Sequence, residues 1–95
     1  MMMTVKIGVE AGNRGIKDGA LPRTIEAFMQ QFKPEAAYFT TEGGDRTALF
    51  FLNMSETSQI PAMAEPFFQA LGAHIELKPV MNGDDLKAGL QKLPH

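Results

Sequence analysis

The chain has 95 residues, 44% of them hydrophobic and 21% charged, with a formal net charge of −2. That length holds one domain, which would bury roughly 60–65% of its unfolded surface and so gains from self-association. The nine Lys and Arg are scattered, which argues against a nucleic-acid partner, and the absence of cysteine excludes disulfides, thiolate nucleophiles and Cys-ligated metal centres.

The N-terminal residues carry no long apolar run. Neither a signal peptide nor a membrane span is expected, and the cytoplasm is the default compartment. Residues 3–10 alternate, with Val5, Ile7 and Val9 against Thr4, Lys6, Gly8 and Glu10, the pattern of a half-buried strand. Residues 11–20 are glycine-rich and polar and predict a loop. From Leu21 the period changes. Leu21, Ile25, Phe28, Met29 and Phe32 form one helical stripe, and Lys33-Pro34 ends it.

Residues 36–41 predict a second strand. Glu42-Gly43-Gly44-Asp45 then carries a hairpin signal, because two central glycines accept the positive φ angles of a type I′ turn. With that centre, Thr41 faces Arg46, Phe39 faces Ala48, Tyr38 faces Leu49 and Ala37 faces Phe50. The third strand, 46–54, is apolar on both faces: Leu49 and Phe51 point one way, Ala48, Phe50 and Leu52 the other. A chain this short covers only one side of such a strand with its own helices.

Helix-start chemistry lies between Ser55 and Ser58, followed by the stripe Ile60, Met63, Phe67 and Leu71, with Pro66 expected to kink the helix and Gly72 to end it. Residues 73–80 alternate as a fourth strand. Asn82 and Asp85 have capping-box spacing ahead of a last helix with Leu86, Leu90 and Leu93 on one stripe, and Met81 and Leu86 are spaced as a hydrophobic staple.

The order β-α-β-β-α-β-α predicts an α+β, ferredoxin-like βαββαβ domain spanning residues 1–95, with an extra C-terminal helix. Its four-stranded antiparallel sheet would place strands one and three in the centre and both crossover helices on one face. Val5, Ile7, Val9, Ala37, Phe39, Ala48, Phe50, Leu52, Ile75 and Leu77 are then expected under the helices. The open face collects Thr4, Lys6, Glu10, Tyr38, Thr40, Thr47, Leu49, Phe51, Asn53, His74, Glu76 and Lys78.

His74 and Glu76, two apart on one strand, share a face and suit a base with its orienting carboxylate. The plainer reading is an edge strand kept soluble by charge. Lys6 and Glu10 extend the polar cluster, or simply pair across strands. Tyr38, Leu49 and Phe51 are candidates for holding a small, partly apolar ligand, or for an interface. The loop Gly12-Asn13-Arg14-Gly15 could form an anion nest or a lid, though it matches neither a P-loop nor a dinucleotide fingerprint. With only two His in the chain, no metal and no cofactor are expected.

The runs Lys33-Pro34-Glu35-Ala36-Ala37-Tyr38-Phe39-Thr40-Thr41, Arg46-Thr47, Ser58-Gln59-Ile60-Pro61-Ala62, Ala64-Glu65-Pro66, Pro79-Val80-Met81 and Asp85-Leu86 resemble a family of small uncharacterised bacterial proteins. More broadly, the chain is similar to the dimeric α+β barrel superfamily, which includes antibiotic-biosynthesis-type monooxygenases, muconolactone-isomerase-like enzymes and stress-responsive barrel proteins. The resemblance covers nearly the whole chain. It implies a homodimer closed through the open sheet face, and it carries no catalytic motif. Two functions fit. One is a cofactor-independent enzyme, isomerase- or monooxygenase-like, or a small-molecule binder that uses the barrel interior. The other is a non-catalytic structural or regulatory dimer whose open face is only an interface. Neither requires a nucleic acid or a membrane.

Overall fold

The structure, a computed structural model, describes residues 1–94. It consists of β1 (Met2–Ile7), α1 (Val9–Asp18), α2 (Ala20–Phe32), β2 (Ala36–Glu42), β3 (Asp45–Phe51), a single 3₁₀ turn (Thr57–Gln59), α3 (Ile60–Leu71), β4 (His74–Lys78) and α4 (Gly83–Gln91). The strands form one antiparallel sheet in the order β2-β3-β1-β4. This is the α+β, ferredoxin-like arrangement, with β1 and β3 central.

The β2–β3 hairpin has the register that a Gly43-Gly44 turn requires. Thr41 lies opposite Arg46, Phe39 opposite Ala48, Tyr38 opposite Leu49 and Ala37 opposite Phe50. Both turn glycines hold positive φ, 59° and 86°. That pairing fixes which side chains share a face, because a slip of one residue would invert the whole strand.

The core lies on one side of the sheet. Met3, Val5 and Ile7 of β1 and Ala48 and Phe50 of β3 meet Phe28 of α2 and Met63, Phe67 and Leu71 of α3, all buried. Phe50 is fully buried at the centre, its ring centroid 4.6 Å from Phe28 and 6.1 Å from Phe67. Phe28 and Phe67 stand 5.3 Å apart, so three aromatic rings from three elements close one cluster.

Three expectations from the sequence change here. Residues 11–20 are not a loop: Val9–Asp18 form helix α1, and the first strand stops at Ile7. The glycines that suggest a loop instead allow close packing. A Cβ on buried Gly15 would fall 2.8 Å from Leu71 Cδ2 and 3.1 Å from Leu21 Cβ. Tertiary contact thus outweighs a glycine's helix cost of roughly 1 kcal/mol. Gly19, at φ 80°, separates α1 from α2, and the Asp18 carboxylate accepts the Ala20 N–H at 2.9 Å. Second, Val9 has left the sheet and is half exposed. Third, Phe39 is 58% exposed although it lies on the helix side, because β2 is an edge strand at the margin of the helix layer.

Helix α3 runs through Pro66 without ending there, and Gly72 caps it in the left-handed conformation. Asn82 and Asp85 form the expected reciprocal capping box, with Asp85 N–H to Asn82 Oδ1 at 2.8 Å and Asn82 N–H to Asp85 Oδ2 at 3.2 Å. Helix α4 stands away from the body. All its residues are exposed, Leu86 and Leu90 included, as is Leu93 just beyond its end, and the molecule measures 57 × 27 × 18 Å. Among the described residues, no helix is long and apolar enough to cross a membrane.

Two outcomes are expected. Phe50→Ala should cost about 3–5 kcal/mol in urea denaturation, because it empties the centre of the aromatic cluster. Asn82→Ala should weaken α4 by about 1 kcal/mol, speeding amide exchange in residues 86–91 while leaving exchange in β1 unchanged. Equal acceleration in both segments would show that α4 is coupled to the core.

Candidate functional site

Side chains of opposite parity to the core project from the uncovered face of the sheet, and the register arranges them in rows. Tyr38, Leu49, Thr4 and Glu76 form one row across β2, β3, β1 and β4. Thr40, Thr47, Lys6 and His74 form the next, and Ala36, Phe51, Met2 and Lys78 a third. The face is therefore divided. Its β2–β3 half carries Tyr38, Leu49 and Phe51 together with the uncharged Thr40 and Thr47, and its β1–β4 half carries Met2 and Thr4 together with the ionisable Lys6, His74, Glu76 and Lys78.

The apolar half is partly covered within the chain. Leu49 and Phe51 are half-buried rather than bare, and the Tyr38 ring meets Phe51 edge-on at 6.3 Å. Tyr38 itself is 62% exposed. Thr47 is buried in the middle of the sheet and donates its hydroxyl to the Asp45 carbonyl at 3.0 Å, which steadies the strand just past the hairpin turn.

In the polar half, Lys6 is the direct cross-strand neighbour of His74, and Thr4 of Glu76. The Lys6 ammonium extends toward the hairpin turn, 3.3 Å from where a side chain at Gly43 would begin. Thr4, Lys6, His74 and Glu76 share a notch of about 100 Å³ with a fifth residue, Glu42. Glu42 ends β2 in step with Tyr38 and Thr40, and the sequence misses it because the expected strand stops at residue 41. The notch brings together an imidazole, an ammonium, two carboxylates and a hydroxyl. His74, Glu76 and Glu42 are exposed and Lys6 is half-buried.

Glu10 is the correction to this set. It occupies the first turn of α1, where its carboxylate suits the positive helix terminus, and it does not join Lys6 on the sheet. The reason is the early end of β1: once the chain turns helical at Val9, strand parity no longer applies to residue 10. The loop expected at Gly12-Asn13-Arg14-Gly15, as a lid or an anion nest, is likewise replaced by regular helix. Among the described residues, no group of three or more His, Cys, Asp or Glu side chains is gathered closely enough to hold a metal ion.

Compared with protein-family models, curated proteins and solved structures, the chain matches none of them.

Proposed function

We propose that the chain works as a homodimer closed through its open sheet face, and that the enclosed space binds a small, partly apolar molecule. The observation that carries this reading is the division of that face into an apolar half and a polar half. A two-fold axis along the strands would lay β2 over β4 and press Tyr38 against the charged groups of the partner, stripping them of water at a cost of several kcal/mol per ion. An axis across the strands lays β3 over its own counterpart and β4 over its own. Apolar residues then meet apolar ones, and the two polar halves face each other across a shared space.

The size of the notch supports the same assembly. At about 100 Å³ it is much smaller than the roughly 300–1,000 Å³ of an ordinary ligand pocket. A second sheet would supply the missing wall. Tyr38, Leu49 and Phe51 would hold the apolar part of the ligand, while Lys6, His74, Glu76 and Glu42 would meet its polar end.

These groups suit proton transfer without a cofactor. With a β,γ-unsaturated carbonyl compound, the imidazole of His74 takes a proton from the carbon between the carbonyl and the double bond, the Lys6 ammonium stabilises the dienolate oxygen, and the imidazolium returns the proton at the far end of the dienolate, leaving the double bond conjugated. Glu76 or Glu42 orients the imidazole. That is the chemistry of an isomerase.

Two measurements test the reading. In sedimentation the wild type should run at twice its 10.4 kDa chain mass and Phe51→Asp as a monomer. An unchanged dimer in the variant would remove the interface from this face. In a thermal-shift screen of small carbonyl compounds, hits found with the wild type should be lost with His74→Ala, whose exposed position leaves folding intact. Hits that bind the variant equally well would place the ligand elsewhere.

A further inference from the structure

A second cavity lies on the opposite, helix-covered side, where α1 and α2 meet the β2–β3 hairpin. It is an open cleft of about 400 Å³, walled chiefly by Ile16, Leu21, Ile25, Phe39 and Ala48. Ile16 and Phe39, 54% and 58% exposed, stand at its margin. The one charged side chain that lines it is Arg46.

Arg46 is held in place by a purpose-shaped seat. Its Nη2 donates to Asn13 Oδ1 at 3.0 Å, and its Nη1 lies 3.5 Å from the Val9 carbonyl. Both acceptors are neutral, so neither offsets the positive charge. The guanidinium rests on buried Gly12, where any Cβ would collide with Nη1. A guanidinium has five N–H donors. Two are engaged by α1, and the others remain for a ligand. The half-buried cation is thus fixed in direction at the edge of an apolar cleft, with its charge unanswered by a carboxylate in those bonds.

We infer that this cavity binds a small carboxylate with an apolar body, the carboxylate bridged by Arg46 and the hydrocarbon lodged among Ile16, Leu21, Ile25 and Phe39. A planar fork matches a carboxylate with two parallel hydrogen bonds. A single cation among apolar walls suits a monoanion and leaves a doubly charged phosphate short of donors. The site lies across the sheet from the dimer face proposed above and does not depend on it.

The test is titration of the isotope-labelled protein with octanoate, octanamide and octyl phosphate, followed by amide resonances. Octanoate should shift Ile16, Leu21, Ile25 and Ala48, octanamide should bind at least about tenfold more weakly, and octyl phosphate should bind no tighter than octanoate. Arg46→Gln should weaken octanoate roughly ten- to a hundredfold. Gly12→Ala keeps the charge and favours the helix, but pushes the guanidinium from its seat, and should weaken octanoate as well. Arg14→Gln removes an exposed charge elsewhere on α1 and should leave affinity unchanged. The inference is overturned if octanoate shifts none of these residues, if octanamide binds equally well, if octyl phosphate binds more tightly, or if both Arg46→Gln and Gly12→Ala retain wild-type affinity.

Discussion

One layer of helices covers one face of a four-stranded sheet, and Phe50 is where the layers are joined. Its ring is buried between α2 and α3, and the strand that carries it is central. Strand geometry then sends Leu49 and Phe51, its neighbours in the chain, to the side without helices. The two-sided character of this protein, with a core on one face and a mixed apolar and charged surface on the other, follows from that placement. So does the proposed assembly, since a face of that kind is best satisfied by its own copy.

The sheet was legible in the sequence because its signals are local and redundant. Gly43-Gly44 sets the hairpin, the hairpin sets the register, and alternation along 36–41 and 46–52 assigns each side chain to a face. Helix α1 reads as a loop from its composition, because glycine has two uses that composition alone does not separate. It frees a loop, or it lets a helix lie close to its neighbours. The spacing tells them apart: Gly8, Ala11, Gly12, Gly15 and Gly19 fall at helical intervals, a stripe of small residues rather than a random cluster. Gly15 meets Leu21 and Leu71, and Gly12 meets Arg46, so the stripe is the packed side of the helix.

The candidate groups divide along the same line. Lys6, His74, Glu76, Tyr38, Leu49 and Phe51 take the open face because parity governs every residue inside a strand. Glu10 departs because it lies beyond the strand's end. Glu42 arrives from the hairpin tip, and Arg46 finds Asn13 across thirty-three residues of sequence. Parity sets the face of each, but not the distant partners that it meets there. Phe39 shows the remaining gap: its face was legible, but its exposure depends on how far the helix layer extends over β2.

The strand order has a further consequence, in time rather than in space. β1 is made before the other strands of the sheet, yet its two partners are β3 and β4, the last two of them. Until residue 78 has been synthesised, the most deeply buried strand of the protein has at most one neighbour to pair with. Such distant pairing slows folding and leaves apolar side chains and unpaired backbone open to misassociation while the chain is incomplete. The polar residues that alternate along β1, Thr4 and Lys6, keep one side of that waiting strand compatible with water.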